Sequence, residues 1–353
     1  MRLLAAISHH GLGHLAQAGP VLSALKTLEP GLELTVWSGL APAALAARLP
    51  FPFRHRQEAA DVGLAMHDAL GVDLATSHRA YLDFHRDWPA RLAREARWLA
   101  EEGFDGVFSD VAYLPLAAAR NAGIPAVALC SLNWRDIAAA YLAQAPGMAP
   151  ILEDMARAYA GARAFLRPEP SMPMDWLANG EAVPPIASLG RSRRAELDGR
   201  LGRRAGTRRV LAGFGGIPFQ GSLARLPGVT WLAPDGWGTG RDDVVPFPAL
   251  DMPFLDLVAS CDVLLTKVGY GGFAEAAANG VPALYVDRPD WPETPWLAAW
   301  LEEHNRARAI RVEDLGSPRL GEMIDALLAR PAPPPPVAEG ALAAARRLLT
   351  LLA

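Results

Sequence analysis

Lysine is nearly absent from this chain. Of 34 basic residues in 353, only Lys26 and Lys267 are lysines, and the rest are arginines. With 32 glycines and 31 prolines, that bias reads as the product of a GC-rich genome, so each surviving lysine is more informative than usual. Lys26, on the first predicted helix, reads as a solvated surface residue. Cysteine is scarce as well. Cys130 and Cys261 cannot build a disulfide framework, and with no signal-peptide pattern at the N-terminus a reducing, cytoplasmic setting is expected. No stretch approaches the roughly 20 uncharged apolar residues of a membrane span, so no transmembrane segment is expected and only peripheral membrane contact is left open. Positive charge is not in excess either. A net charge of −4 argues against a nucleic-acid partner, whose binding face is usually basic. What is present is apolar: 51% hydrophobic against 20% charged residues, enough for two packed domains and too much for disorder.

The pattern along the chain is strand, glycine turn, helix. Residues 2–7 form an apolar run that breaks into His9-His10-Gly11-Leu12-Gly13-His14, with apolar residues at helical spacing over 15–28. That is the opening unit of a doubly wound sheet. Strands are expected at 32–37, 51–54, 106–108 and 126–130, and helices at 41–49, 61–100, 114–122 and 136–166. Within 79–98 the arginines and tryptophans read as a solvated helical face. Residues 167–207 hold Pro, Arg and Gly without a sustained period, which places a domain boundary near 190–205. Strands follow at 209–212, 229–232, 263–265 and 283–286, with a helix at 273–279. The prolines of 331–336 read as a semi-rigid spacer before an amphipathic helix at 338–352. This alternation predicts an α/β chain with a parallel sheet in each half.

Three glycine-bearing strand ends can carry chemistry. His10-Gly11-Leu12-Gly13-His14 lets backbone N–H groups approach an anionic or hydroxyl-rich ligand. It is not the dinucleotide pattern G-x-G-x-x-G, because position 16 is alanine, and no clean acidic residue follows about 20 positions on, so an NAD site is not expected. Histidines at such a turn can supply a general base near neutral pH. His14 is the candidate, with His10 beside it, whereas His9 reads as a residue that caps or solvates the loop. The spacing offers no third acidic or cysteine ligand, so no metal is expected. Phe214-Gly215-Gly216 is a weaker second signal. In the third, Lys267-Val268-Gly269-Tyr270-Gly271-Gly272-Phe273-Ala274-Glu275, a strand feeds a glycine turn that opens a helix whose N-terminus can hold a diphosphate. Lys267 can meet phosphate oxygens, and Glu275 can accept hydrogen bonds from two neighbouring ribose hydroxyls. A Walker A loop puts its lysine after the glycines, so ATP hydrolysis is disfavoured. Two further polar stretches follow strands, where open sheets bind ligands: Ser131-Leu132-Asn133-Trp134, and 287–296 with Glu293. Asp110 reads either as an acidic partner for the histidines or as a helix N-cap.

Together these residues resemble the GT-B glycosyltransferase superfamily. More sharply, they resemble the glycosyltransferase-like N-terminal half of plant L-arabinokinase, and more distantly the peptidoglycan N-acetylglucosaminyltransferase group. The arabinokinase likeness spans nearly the whole chain: His10 to His14, Ser109-Asp110-Val111, Ala122-Gly123-Ile124, Phe214 to Gly216, Lys267 to Gly271, Glu275-Ala276, and Glu293 to Leu297. It implies two Rossmann-like domains with parallel sheets facing a central cleft. An N-terminal acceptor domain would cover 1–190, with the helix at 338–353 crossing back to it, and a C-terminal donor domain would cover 205–330. The implied activity is metal-independent transfer of a sugar from a nucleoside-diphosphate sugar, with no other cofactor, to an acceptor the sequence does not identify. The resemblance puts Glu275 on the ribose and Gly269, Tyr270, Gly271 and Gly272 on the diphosphate, with Lys267 helping to stabilise the leaving group. His14 would be the base, with His10 and Asp110 beside it. Gly11, Gly13, Asn133, Gly215, Gly216 and Glu293 complete the implied binding set. The chain departs from the superfamily at Gly272, where Ser or Thr is common, at Lys267, where His or Ser is usual, and near 290, where an acidic or Gln pair is only partly kept. The base and sugar of the donor, and any oligomeric state, are therefore unassigned. A non-catalytic nucleotide-sugar-binding module and a nucleotide-sugar hydrolase or epimerase stay open as alternatives.

Overall fold

A computed structural model describes residues 1–202, 208–215 and 221–353 of the chain. They form two compact units. Unit 1 comprises Met1–His67, Gly71–Ile186 and Ala338–Ala353; unit 2 comprises Asp68–Leu70 and Ala187–Val337.

Among the described residues, unit 1 runs β1 (Arg2–Ile7), α1 (Gly13–Leu28), β2 (Glu33–Trp37), α2 (Pro42–Arg48), β3 (Arg54–Arg56), α3 (Leu74–His85), α4 (Trp88–Glu102), β4 (Gly106–Asp110), α5 (Tyr113–Ala122), β5 (Ala126–Leu129), α6 (Trp134–Leu142), α7 (Met148–Ala160), β6 (Ala164–Pro168) and β7 (Gly180–Val183). Its strands pair in parallel in the order β3-β2-β1-β4-β5-β6-β7. A central parallel strand is covered on both faces, so it reads as an unbroken apolar run rather than an alternating one. Leu3 to Ile7 of β1 are all fully buried, which is why the run was legible.

Unit 2 contains α8 (Arg194–Leu201), β8 (Arg208–Ala212), β9 (Val229–Ala233), β10 (Val244–Pro246), α9 (Phe254–Ser260), β11 (Val263–Lys267), α10 (Tyr270–Ala278), β12 (Ala283–Val286), α11 (Thr294–His304), β13 (Ala307–Ile310) and α12 (Arg319–Leu328). Its parallel order is β10-β9-β8-β11-β12-β13. The last helix, α13 (Gly340–Leu352), belongs to unit 1. Its first residue lies against the chain at Pro184, whose carbonyl oxygen would stand 2.0 Å from any Cβ at position 340. Arg347 then pairs with Glu181 of β7 at 2.7 Å.

Each sheet reverses direction between its first strand and the strand after the outward excursion: β1 and β4 in unit 1, β8 and β11 in unit 2. Open parallel sheets bind ligands outside the carboxyl ends of strands at that switch point.

Several elements differ from the sequence reading. Residues 61–73 are not helical, and the long helix is two, α3 and α4, the first N-capped by Asp73, which accepts from the Thr76 N–H at 2.9 Å. The third strand is 54–56 rather than 51–54. Residues 164–168 form a strand where a helix was expected, and the aperiodic 167–207 holds β7 and α8. Strands of three to five residues complete too few periods to be told from helical or irregular chain. The same holds for β10 and β13, which the sequence did not mark. The unmarked α9, α11 and α12 are helices and plain omissions, and α11 takes in residues 294–296 of the stretch read as a polar loop. Lys26 is no mere solvated residue: its Nζ donates to the carbonyls of Pro30 and Leu32 at 2.7 and 2.9 Å, binding the chain just after α1.

Candidate functional site

In unit 1 the site starts where β1 ends. Ile7 lies in register with Asp110, the last residue of β4, and the Ser8 N–H donates to the Asp110 carbonyl at 2.7 Å. The chain then turns through Gly11 at φ +80°, a left-handed conformation that side chains disfavour, and α1 opens at Gly13. This brings His14 over the end of β4, with Nδ1 2.9 Å from Asp110 Oδ1. Both are buried, His14 at 5% exposure and Asp110 at 0%. Burial pushes the Asp110 carboxyl up, and the His14 hydrogen bond and charge pull it back. Asp110 is thus placed as a histidine partner: the N-cap of α5 is Ala112, without a side-chain cap. A carboxylate on Nδ1 fixes the ring and leaves Nε2 as the proton-accepting position.

The surrounding groups come from distant parts of the sequence. The Trp134 ring packs against His10, edge-on with centroids 5.0 Å apart, and against His14 at 5.5 Å. Its Nε1 donates to Asp61 Oδ2 at 2.8 Å, and Asp61 Oδ1 stands 3.5 Å from His9 Nδ1. Asp61 holds the His9 imidazolium above its ordinary range, chiefly through a hydrogen bond and against the cost of burial. His9 therefore faces the buried Asp61 carboxyl at 3.5 Å rather than only capping the loop. Gln17 braces the far side, its Oε1 accepting from the Ser131 N–H at 3.1 Å and its Nε2 donating to Ser131 Oγ at 3.3 Å. Asn133 serves as the N-cap of α6, accepting from the Asp136 N–H at 2.8 Å.

The spacing argument against a third metal ligand is also overturned, because the fold brings Cys130 to the pair. Donor atoms of His14, Asp110 and Cys130 lie within 4.8 Å of one another, with Cys130 Sγ 3.7 Å from His14 Nδ1. Donors sharing one tetrahedral zinc at bond lengths of about 2.0–2.3 Å stand roughly 3.3 Å or more apart. The 2.9 Å between His14 and Asp110 is a hydrogen-bond distance instead. The segment 79–98 is not solvated throughout either. His85 is stacked on Trp88 at 4.4 Å, its Nε2 3.0 Å from the Tyr113 hydroxyl, and burial brings its imidazole down to about 4.

In unit 2, Lys267 is the last residue of β11 and pairs in register with Val286 of β12. It is half-buried, and desolvation, followed by the positive charge of Arg288, lowers its ammonium to about 8 against the pull of Glu293. Gly269 stands at the N-cap of α10, with no side-chain cap. The helix begins three residues earlier than expected, so Gly271 and Gly272 lie in its first turn with Tyr270. A Cβ at 272 would come 3.1 Å from Thr266 Oγ1, so glycine lets α10 sit close on β11. That hydroxyl donates to the Gly213 carbonyl at 3.0 Å, joining the ends of β11 and β8. Gly215 follows at φ +73°; Gly216 lies outside the described residues. Glu275 sits in the second turn of α10, 4% exposed. Glu293 is buried too, its Oε2 accepting from Trp291 Nε1 at 3.3 Å.

The structure thus gathers His10, His14 and Asp110 at one switch point, with Lys267 and the 269–272 turn at the other. Sequence reasoning missed Asp61 and Arg288. Asp61 lies in a segment expected to be helical, and Arg288 lies in the polar stretch 287–296, where only Glu293 was singled out.

No family model matches the chain. L-arabinokinase of Arabidopsis thaliana is 28% identical over 308 residues, which make up 84% of this chain and 29% of that protein, so the chain spans under a third of the length of this curated relative. Among solved structures, the glycotransferase of kitacinnamycin matches with a TM-score of 0.59 and 17% identity, covering 99% of this chain and 95% of that one. Phytolacca americana UGT2, complexed with UDP-2fluoro-glucose and pterostilbene, matches at 0.56 with 14% identity over 99% and 94% of the two chains. MurG of Acinetobacter baumannii matches at 0.53 with 14% identity over 98% and 94%. The chain has the two-sheet α/β fold of GT-B glycosyltransferases, and it resembles L-arabinokinase over most of its own length.

Proposed function

We propose that the protein transfers a sugar from a nucleoside-diphosphate sugar to a hydroxyl-bearing acceptor, with His14 as the base. The observation that carries this reading is the buried His14–Asp110 hydrogen bond of 2.9 Å at the β1/β4 switch point. Asp110 accepts from Nδ1–H, so Nε2 takes the acceptor's hydroxyl proton while the oxygen attacks the anomeric carbon. The bond between that carbon and the diphosphate oxygen breaks. The proton stays on His14, where Asp110 stabilises the imidazolium. The departing diphosphate carries the new negative charge, which the Lys267 ammonium and the N-terminal turn of α10 meet without a metal or a resident cofactor. Glu275 takes the ribose hydroxyls. A donor of this class is supported by UGT2, a fold relative complexed with UDP-2fluoro-glucose.

Among the described residues no helix is long and apolar enough to cross a membrane.

The test is a panel of nucleoside-diphosphate sugars, scored for diphosphate release and for a glycosylated product. His14→Ala should lower transfer by about 10²–10⁴-fold and leave calorimetric donor affinity within twofold. Equal rates in the two proteins would end the base assignment. Tight donor binding without turnover in wild type would favour a non-catalytic module, and donor breakdown without a glycosylated product would favour a hydrolase.

A further inference from the structure

Three side chains at the strand ends of unit 1 form a group that the proposed mechanism uses only in part. The sheet sets them side by side. Ile7 of β1 is in register with Asp110 of β4, and Ser109 of β4 with Ala128 of β5. The chain leaving β1 delivers His14, β4 ends at Asp110, and Cys130 follows β5 directly. The Cys130 N–H donates to the Leu166 carbonyl at 3.1 Å, which ties its backbone to β6 as well. One donor atom from each of the three lies within 4.8 Å of the others, and all three residues are buried.

The mechanism accounts for one carboxyl oxygen of Asp110, the Oδ1 that stands 2.9 Å from His14 Nδ1. Oδ2 is buried too and accepts no hydrogen bond, an uncommon state for a carboxyl oxygen and one that a bound ion relieves. Cys130 Sγ stands 3.7 Å from His14 Nδ1. The surroundings of the sulfur suit a thiolate. Gln17 Nε2 donates to it at 3.7 Å, and the amide is turned that way because its Oε1 accepts from the Ser131 N–H at 3.1 Å. A donor aimed at a sulfur favours its charged form and steadies it as a metal ligand. One imidazole nitrogen, one carboxylate oxygen and one thiolate are donors that suit zinc and the softer cadmium. Magnesium and calcium prefer oxygen alone.

We propose that His14, Asp110 and Cys130 form a binding site for one zinc-like cation, and that filling it switches His14 off as a base. The 2.9 Å hydrogen bond belongs to the metal-free protein and occupies Oδ1. The spacing that excludes a cation shared with Oδ1 does not apply to Oδ2, the oxygen that Asp110 offers to the metal. On binding, the thiol proton goes to solvent. The imidazole stays neutral, but its Nδ1 lone pair is now on the metal, so its one proton sits on Nε2. That is the position that must be free to take a proton from an acceptor. Metal binding and proton abstraction therefore exclude each other. The effect on transfer rests on the reading of His14 as the base, whereas the site itself does not.

The experiment titrates cadmium ion, and separately zinc ion, into the reduced protein. Cadmium is followed by the ultraviolet charge-transfer absorption of its thiolate bond, and zinc by calorimetry. Wild type and Cys261→Ala should each take up one equivalent with a thiolate band, and excess magnesium should not displace it. Gln17→Leu should weaken binding about 10–100-fold, as for a group that only touches a ligand. His14→Ala and Asp110→Asn should weaken it further, and Cys130→Ala should lose the band. A missing band in wild type, a band that survives Cys130→Ala, or an affinity unmoved in His14→Ala overturns the site. If Cys130→Ala does not fold, Cys130→Ser gives the same comparison. Zinc should also suppress sugar transfer by wild type, and Cys130→Ala, scored against its own metal-free rate, should resist it. Transfer at an undiminished rate with the site filled overturns the switch. A protein that binds cadmium through Cys130 and His14 but turns over no donor supports the site and overturns the proposed function instead.

Discussion

Replacing Lys267 with methionine tests the energetics of the 267–272 glycine turn directly. Lys267 is held at about 8 against an ordinary value of 10.5, a gap equivalent to about 3 kcal/mol of unfavourable environment for its charge. Because the side chain is only half-buried, solvent screening reduces that to about 1–3 kcal/mol. Below pH 8 both the folded and the unfolded chain carry the proton, and the folded form bears this cost. Between pH 8 and 10.5 the folded state releases its proton first, so the lysine's contribution becomes less unfavourable as pH rises. Lys267→Met removes the charge at every pH. At pH 7 the variant should therefore be more stable than wild type by about 1–3 kcal/mol, and the advantage should vanish by pH 10.5. Urea melts of both proteins at pH 7, 8.5 and 10 supply the numbers. The two units need not unfold together, so the transition assigned to unit 2 is the one to follow. Comparing the two proteins also cancels Cys261, whose thiol burial raises to about 12 and which titrates identically in each. The same substitution should cost diphosphate affinity at least tenfold. A variant less stable than wild type at pH 7, or a stability difference that does not move with pH, would refute the claim that Lys267 is a strained cation awaiting an anion.

Asp110→Asn should lower transfer by two orders of magnitude or more by releasing the His14 ring, while the melting temperature at pH 7 holds or rises, because burial makes the ionised Asp110 costly in the fold; retained turnover would remove Asp110 from the mechanism. Glu275→Ala should weaken donor affinity at least several-fold by calorimetry, and an unchanged isotherm would take Glu275 off the ribose. His85 is neutral and buried, at about 4 against 6.5 in the unfolded chain. Acidification therefore loads the unfolded state with a proton first, and unit 1 should lose about 1–3 kcal/mol between pH 6.5 and 4 once solvent screening is allowed for. In His85→Phe that acid limb should flatten, and melts whose pH dependence matches wild type would show that another group causes it.

The parts of the site that could be read from sequence were those in which local chemistry repeats local geometry. The turns at 10–14 and 267–275 each follow a buried strand and precede a helix, so glycine, histidine and lysine could be placed on one short stretch of backbone. Tertiary partners left no such trace. Asp61 reaches His9 and Trp134 from 52 and 73 residues away, out of a segment with no regular structure. Cys130 meets His14 across 116 residues, so its ligand-like position was invisible to spacing rules. For Asp110 the sequence could list the options, histidine partner or cap, because both need a carboxylate after a strand; only the register of β1 with β4 brings Ile7 and Asp110 side by side. The short strands β7, β10 and β13 went unread because so few residues leave propensity and period with too little to average over.

The assignment of roles to the two units follows from their charges rather than from the shared fold. The two sheets share one strand order apart from the seventh strand of unit 1, and each carries a glycine turn at its switch point, after β1 in unit 1 and after β11 in unit 2, so topology alone would let either unit hold the donor. The side chains break the symmetry. Unit 1 gathers three histidines around two buried carboxylates, Asp61 and Asp110. A diphosphate there would face two buried carboxyl groups, and each pair it disrupted would leave a buried polar group without its partner. Unit 2 has one histidine, His304, and its Nδ1 lies 2.9 Å from the Trp300 carbonyl at the far end of α11, away from the strand ends that carry the turn. Its switch point offers a lysine, a guanidinium and the N-terminus of α10, which suit an anion and serve poorly as a base once that anion restores the lysine's proton. On the proposed reading, proton abstraction falls to unit 1 and the leaving group to unit 2. A histidine placed at 267 should not restore transfer to a His14→Ala protein, whereas a lysine there should still bind the diphosphate.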